Sequence, residues 1–197
     1  MAAGLVASFA MHAMAQAPQQ NRVIIVSLED RKLALVEDGQ VKKIYTVAVG
    51  KPSTPSPVGT FKIERRVANP VYHHDGKTVT PGPSNPAGTR WMGLNVPGYG
   101  IHGTNVPKSI GKAASHGCIR MAKADLEEFY SLVAVGDTVE LIGQRNKETA
   151  ALFGDAPARA AQQPTVLAQA APSQEPAPAA PKADGPALVM VSAAGSR

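Results

Sequence analysis

The sequence has a single cysteine, few aromatic residues and no long apolar run. Of its 197 residues, 1 is cysteine and 5% are aromatic. A single cysteine cannot form an intramolecular disulfide, so in an exported protein it is a candidate reactive thiol. No apolar run approaches the roughly 20 residues that a transmembrane helix needs. These absences exclude a disulfide-stabilised fold and predict no stable membrane insertion.

The chain is mildly basic but has no basic cluster. Its 20 Lys and Arg residues and 15 Asp and Glu residues give a formal net charge of +5. The adjacent basic residues are short pairs, such as Lys42–Lys43 and Arg65–Arg66. Nucleic-acid-binding proteins usually carry a longer basic cluster or stripe. We therefore expect no nucleic-acid partner, and a solvated basic surface that suits an anionic polymer.

The two ends of the chain differ in composition from its middle. Residues 1–15 contain the apolar segment AAGLVASFAM and a small-x-small cleavage pattern, without the preceding basic residues of a complete signal peptide. This pattern predicts a truncated signal peptide and hence export. Residues 16–21 are predicted to be a linker, and residues 144–197, rich in Ala and Pro, a disordered tail. One domain, residues 22–143, is expected between them.

Strand patterns dominate the predicted domain. The segment Asp38-Gly39 supplies the positive φ angles of a tight hairpin turn between two strands. Strands are predicted at Val23–Val26, Lys32–Glu37, Val41–Val49, Phe61–Arg65, Trp91–Val96 and Thr138–Ile142. Apolar residues spaced for one helical face predict a helix from Asp125 to Leu132. The segments Gly50–Gly59 and Val67–Arg90 are predicted to be loops, and the longer one is expected to be functional or mobile.

Reactive side chains are concentrated in Ile101–Met121. This stretch contains Cys118, with His102 and His116 beside glycines. Only about 3% of an unperturbed thiol is ionised at pH 7, so a nucleophilic cysteine needs a nearby base. In an extended segment His116 would share a face with Cys118, while the fold would have to bring His102 close. Spacing alone therefore leaves either histidine open as the base.

Three interpretations of this stretch compete. A zinc site would need a further ligand that only the pair His73-His74 could offer. A buried inert cysteine usually lies in an apolar run, whereas Cys118 lies in a polar, Gly-rich one. A Cys/His nucleophilic site accounts for the thiol, the histidines and the glycines together. We therefore predict such a site, with no metal and no cofactor.

The motif IHGTN…SIGKAASHGCIRM resembles the signature of the L,D-transpeptidase catalytic domain of the YkuD type. The segments VGKPSTPSPVGTFKI, RWMGLN and GYGIHGTN extend this resemblance over about Arg22–Ile142. The resemblance implies a mostly-β, sandwich-like fold with one or two short helices. It also implies that Cys118 is the nucleophile and that His102 is the general base and acid, oriented by the carbonyl of Gly103.

The resemblance assigns supporting roles to further residues of the motif. His116 and Gly117, with Cys118, would form the oxyanion hole. Ser115 and Arg120 would support the site or hold a substrate carboxylate, for which the planar guanidinium is suited. Arg120 stands where other members carry Asn, which affects the expected substrate preference rather than the chemistry.

The implied activity is peptidoglycan cross-linking by cysteine acyl transfer from a tetrapeptide stem, with release of D-alanine. The same thioester chemistry would serve an L,D-carboxypeptidase, or attachment of a lipoprotein to the wall and its release. A non-catalytic wall-binding module is a further alternative, although binding alone needs no nucleophile. The expected partners are peptidoglycan stem peptides, the expected state is a monomer, and the expected location is the periplasm or cell wall.

Overall fold

The computed structural model describes residues 21–74 and 76–154. The predicted signal peptide, nearly all of the predicted linker and most of the predicted tail lie outside these residues. The strands are β1 (Arg22–Ser27), β2 (Lys32–Glu37), β3 (Gln40–Gly50), β4 (Gly59–Ala68), β5 (Tyr72–His74), β6 (Lys77–Val79), β7 (Arg90–Leu94), β8 (Gly100–His102), β9 (Ala113–Ser115), β10 (Ile119–Met121) and β11 (Thr138–Ile142). The helices are α1 (Lys123–Leu132) and α2 (Lys147–Phe153), and Pro107–Ser109 forms a 3-10 turn.

Two layers of strands share the long strands β3 and β4. The strand order is β10-β8-β7-β4-β11-β1-β2-β3-β9, and β10 also pairs with β3. One part of β3 pairs with β2 and the following part with β10. Strand β4 likewise pairs with β11 and then with β7. The strands from β10 round to β3 therefore close into a ring, and the predicted mostly-β sandwich with two short helices is confirmed.

The core lies between the two layers and under helix α1. Its members are alternate residues of the strands together with one face of α1: Ile24, Leu33, Leu35, Val47, Ile63, Met92, Ile101, Ile119, Met121, Leu126, Phe129, Val139 and Leu141. Each large side chain buried in this way contributes about 1.5–3 kcal/mol. Successive strand residues face opposite sides of a sheet. Because Ile119 and Met121 are buried, Cys118 and Arg120 lie on the outer face of β10.

Several predicted elements agree with the structure. Strand β2 has the predicted bounds, and the hairpin turn has φ angles of 50° at Asp38 and 76° at Gly39. Helix α1 begins at Lys123, not at Asp125, and Asp125 lies in its first turn. A carboxylate there interacts favourably with the positive end of the helix dipole.

Several short elements were not predicted, among them strands β9 and β10. Strands β5 and β6 form a short hairpin within the predicted loop 67–90. Helix α2 continues the packed structure past residue 143, the predicted end of the domain. Asn146 and Thr149 form a capping box at its start, and Phe153 packs against Ile25 and Val36 on the outer face of β1 and β2. Strands of three residues and a helix of seven are too short to show a clear sequence period.

The contribution of α2 to stability can be measured by truncation. We expect a chain that ends at Gly143 to be less stable than one that ends at Gly154 by about 2–3 kcal/mol, the value of burying one Phe side chain. Urea unfolding of the two chains checks this. Phe153→Ala in the longer chain should lower the free energy of unfolding by a comparable amount. Equal stability of the two chains would show that α2 does not stabilise the sheet.

Candidate active site

The register of two parallel strands brings the predicted catalytic pair together. Strand β10 pairs with β8 so that Arg120 lies opposite His102 and Ile119 opposite Ile101. One residue earlier, Cys118 lies beside the start of β8. Because alternate residues face the same side of a sheet, Cys118, Arg120 and His102 share the outer face, away from the core. The sequence places the thiol and the imidazole 16 positions apart, and the strand pairing makes them neighbours.

The imidazole of His102 is held by an aromatic neighbour. Trp91 on β7 lies opposite His102, and the two rings stack with centroids 5.2 Å apart and an interplanar angle of 27°. Gly100 provides the space for the indole, since a Cβ there would lie 2.7 Å from Trp91 Cζ2. His102 is only 6% exposed. Stacking and burial therefore fix the plane of the imidazole.

Burial keeps His102 neutral at physiological pH. Burial and, to a smaller extent, the positive charge of Arg120 lower the pKa of His102 from 6.5 to about 4, although the Gly103 backbone acts in the opposite direction. The buried Nδ1 has no partner among the described residues that meets full hydrogen-bond geometry. The Gly103 backbone raises the pKa of His102, so it favours a proton on the ring. A neutral imidazole is a competent base.

The thiol of Cys118 is also neutral at rest. Its pKa is raised to about 11, because the effect of burial exceeds the opposite effects of the Gly100 backbone and the charge of Arg120. Sγ donates a hydrogen bond to the carbonyl of Gly98 at 3.4 Å. At pH 7 the thiolate fraction is on the order of 10⁻⁴. The resting pair is therefore a neutral thiol and a neutral imidazole, so the thiol must lose its proton as it reacts.

A tight turn presents Cys118. The fully buried Ser115 donates its hydroxyl proton to the Cys118 carbonyl at 2.6 Å and accepts from the Gly117 amide at 3.0 Å. Gly117 has a φ of 113°, and a Cβ there would lie 2.6 Å from Cε1 of Tyr99. The Gly117 amide, which the resemblance assigned to the oxyanion hole, is thus engaged within the turn. Of the three residues assigned to the oxyanion hole, His116 and Cys118 therefore remain as candidate amide donors, and the Cys118 amide belongs to the nucleophile itself.

The two histidines of the motif occupy different environments. His116 is exposed, and its Nε2 lies 3.3 Å from Nζ of Lys51. Its pKa is lowered, first by partial burial and then by the charges of Lys51 and Arg120. His102, in contrast, is buried beside Cys118. The difference in burial favours His102 as the base, which the spacing could not decide.

Arg120 places a positive charge near both reactive groups. Its side chain is partly buried, and its Nη1 donates to the Ala114 carbonyl at 3.5 Å. Its Nε has no partner among the described residues. Burial lowers the pKa of Arg120, and Cys118 and Tyr72 act in the opposite direction. This charge favours the thiolate over the thiol and disfavours the imidazolium.

The segment 67–90 covers one side of the site. The fully buried Asn85 organises it: the side-chain amide donates to the Pro70 carbonyl and the side-chain carbonyl accepts from the Ala87 amide, both at 2.8 Å. Ala87 in turn packs with Trp91, and Cys118 and Tyr72 pack against this cluster. Neither the sequence pattern nor the motif indicated Asn85 as an organiser of the site, because its effect depends on contacts across the loop.

Known proteins resemble the same part of the chain. A family model described as the L,D-transpeptidase catalytic domain matches residues 21–141, more than half of the chain. The chain belongs to the L,D-transpeptidase family. The resemblance noted in the sequence is thereby confirmed, and the match covers every residue of the site described above.

Curated relatives and solved structures of L,D-transpeptidases support the assignment. The L,D-transpeptidase YkuD of Bacillus licheniformis is 43% identical over 118 residues, covering 60% of this chain and 64% of the relative. YqjB of Bacillus subtilis is 38% identical over 122 residues, covering 59% and 68%. The chain thus spans about two thirds of these relatives. L,D-transpeptidase 3 of Mycobacterium tuberculosis, solved with a faropenem-derived adduct, has the same fold, with a TM-score of 0.54, 19% identity and coverage of 62% and 60%.

The remaining histidines of this L,D-transpeptidase domain lie outside the catalytic stretch. His73 and His74 lie on β5, where Nδ1 of His73 is 2.9 Å from the hydroxyl of Thr78. Within residues 21–74 and 76–154, no three His, Cys, Asp or Glu side chains are grouped as metal ligands. In the same residues, no helix has both the length and the apolar character needed to cross a membrane.

The depressed pKa of His102 predicts a pH-dependent stability for the domain. The pKa of His102 is about 4 in the folded chain and 6.5 in the unfolded chain. The neutral side chain therefore makes its full contribution to the stability of the fold above pH 6.5. This contribution is lost as the pH falls toward 4, because the unfolded chain then binds the proton more readily. We expect a loss of about 3 kcal/mol across this window. Urea unfolding at several pH values, compared with His102→Gln, should show this component only in the unsubstituted protein.

Proposed function

We propose that this chain is a cysteine-dependent L,D-transpeptidase that acts on peptidoglycan stem peptides. One observation carries the proposal: the neutral imidazole of His102 lies on the strand next to the thiol of Cys118, on the same face of the sheet. An imidazole that can accept the thiol proton removes the main obstacle to nucleophilic attack. The family assignment supplies the substrate class, and the two observations are independent.

In the first half-reaction, Cys118 attacks the carbonyl carbon between the third stem residue, an L-centred diamino acid, and the terminal D-alanine. His102 takes the thiol proton as the carbon–sulfur bond forms. The negative charge that develops on the carbonyl oxygen is met by the amide of Cys118 and favoured by the charge of Arg120. The imidazolium then gives its proton to the leaving nitrogen, D-alanine departs, and a thioester remains on Cys118.

In the second half-reaction, an amine of another stem attacks the thioester. His102 accepts the amine proton and returns it to the sulfur, which restores the thiol and leaves a cross-link between two stems. Water in place of the amine would give an L,D-carboxypeptidase, and a lipoprotein amine would give attachment to the wall. All of these use the same residues. The covering segment 67–90 is proposed to select among them, since it packs against the reactive thiol.

Product analysis tests the proposal. The protein and its Cys118→Ala variant are incubated with a disaccharide-tetrapeptide, and the products are followed by mass spectrometry. Dimer with free D-alanine is the expected result, whereas tripeptide alone would favour the carboxypeptidase. We expect Cys118→Ala to form neither product. Products that persist in this variant would contradict the assignment of the nucleophile.

The location and state of the protein are also proposals. A substrate in the cell envelope favours an exported protein in the periplasm or cell wall, in agreement with the net charge of +5 and an anionic wall. We propose a monomer, because the catalytic pair and the segment that covers it come from one chain. Sedimentation of the purified protein checks this proposal.

A further inference from the structure

A cavity lies beside the catalytic turn. It has a volume of about 630 Å³ and is bounded by strands β4 and β7 and by the loop 95–99 between β7 and β8. The same loop contributes two residues to the catalytic turn: the Gly98 carbonyl accepts from Cys118 Sγ, and the Tyr99 ring lies against Gly117. The cavity and the reactive thiol therefore share one wall. The mechanism described above assigns no role to the cavity.

A β-bulge places two opposite charges at the cavity. On β4, Ile63 pairs with Leu94 and Arg65 with Gly93, so Glu64 is the additional residue of the bulge. A bulge changes the direction of side chains that would otherwise alternate, and both Glu64 and Arg65 line the cavity. Neither side chain forms an ion pair or hydrogen bond with any described residue. The cavity therefore carries an unused carboxylate beside an unused guanidinium.

An unpaired indole donor lies next to this charge pair. Trp91 is 2% exposed and lines the cavity, and its Nε1 has no acceptor among the described residues. A Cβ on Gly93 would lie 3.0 Å from Trp91 Nε1 and 3.9 Å from Cβ of Arg65. The indole N–H and the Arg65 side chain thus converge over Gly93. Buried donors are almost always paired, so this arrangement indicates a ligand that brings an acceptor.

We propose that the cavity binds the far end of the donor stem's diamino acid when that end carries an ammonium and a carboxylate on the same carbon. This inference rests on the function proposed above. The carboxylate accepts from Trp91 Nε1 and Arg65, and the ammonium lies against Glu64. Gly93 and Cys118 are two strand spacings apart, about 10 Å. The extended side chain of a diamino acid bound at Cys118, together with the cysteine side chain, can span this distance.

The same geometry selects against other diamino acids. A side chain that ends in a bare ammonium leaves the guanidinium of Arg65 and the indole N–H without an acceptor. An amidated end keeps an acceptor oxygen but loses the charge that Arg65 attracts. The buried indole N–H that stays unpaired produces discrimination between otherwise similar substrates, and the exposed side chain of Arg65 adds an attraction for a negative charge. Arg65 and Glu64 are therefore specificity-determining residues, not catalytic ones.

The test measures single-turnover acylation of Cys118 by three tetrapeptide donors, without acceptor, by intact-protein mass. The donors differ only at the far end of the diamino acid side chain, which carries an amino-carboxylate, the amide of that group, or a bare ammonium. We expect the amino-carboxylate donor to react about tenfold faster than the others or more. Arg65→Gln should bring the three rates to within about threefold, and Arg65→Lys should keep part of the preference. Lys42→Gln removes an exposed charge on β3 and should leave the preference unchanged.

Faropenem lacks the diamino acid side chain and reports on Cys118 independently. If faropenem acylates Cys118 while the three donors react equally, the inference is overturned and the proposed function stands. The inference is also overturned, and the proposed function stands, if thermal unfolding shows that Arg65→Gln is folded and this variant keeps the full preference among the donors. If neither faropenem nor any donor acylates Cys118, the proposed function fails and the inference fails with it.

Discussion

A His102→Gln variant is expected to acylate Cys118 roughly 10²–10⁴ times more slowly than the unsubstituted protein. The reason is the raised pKa of Cys118, about 11, which leaves little thiolate without a base. Glutamine is close in size to histidine and keeps the position filled, but it accepts no proton. Time courses of the intact-protein mass with a tetrapeptide donor measure the effect.

The pH dependence separates loss of the base from a change in shape. With a His102 pKa of about 4 and a Cys118 pKa of about 11, the acylation rate of the free protein should be nearly constant between pH 5 and 9. In His102→Gln the rate should instead rise about tenfold per pH unit, because only hydroxide remains to form the thiolate. His116→Gln serves as the comparison, with a much smaller loss and a flat profile. A profile in which His116→Gln behaves like His102→Gln would reverse the assignment.

A Gly117→Ala variant is expected to lose about 100-fold in acylation rate, the typical effect of displacing a reacting group by about 1 Å. The added Cβ would lie 2.6 Å from Cε1 of Tyr99 and 3.2 Å from the Pro55 carbonyl, at a φ of 113°. Either the ring or the turn that presents Cys118 must move. Acylation by faropenem and thermal unfolding measure the two consequences.

Gly136→Ala is the matched control for this prediction. Gly136 also has a positive φ, 96°, but a Cβ there meets nothing within 4 Å. It should lose about 1–2 kcal/mol of stability from backbone strain and keep its acylation rate. Tyr99→Ala combined with Gly117→Ala should recover part of the lost rate, since the ring contact is removed. If Gly136→Ala loses as much activity as Gly117→Ala, backbone strain and not the contact with Tyr99 is responsible.

The local features of the fold were predictable because local chemistry determines them. Asp38-Gly39 adopts positive φ angles whatever its partners are, and the alternation in β2 gave the bounds of that strand. The bulge at Glu64 and the hairpin β5–β6 were not predictable. A bulge is defined by the register against a partner strand, and strands of three residues carry too little pattern.

The sequence indicated candidate residues for the site but not their arrangement. The motif indicated Cys118, and spacing allowed either histidine as its base. The choice depends on burial, which follows from the pairing of β8 with β10 and from the stacking of Trp91 on His102. Gly117 has the strained backbone expected of its position, but its amide bonds to Ser115. That contact arises within a turn whose geometry the sequence does not reveal.

The central claim is that the acyl group passes through a thioester on Cys118. The most direct measurement is the mass of the protein after incubation with a tetrapeptide donor and no acceptor, followed by peptide mapping. We expect an added tripeptide on the peptide that contains Cys118, removable by hydroxylamine, with one D-alanine released for each adduct. Release of D-alanine without such an adduct, or an adduct on another residue, would contradict it.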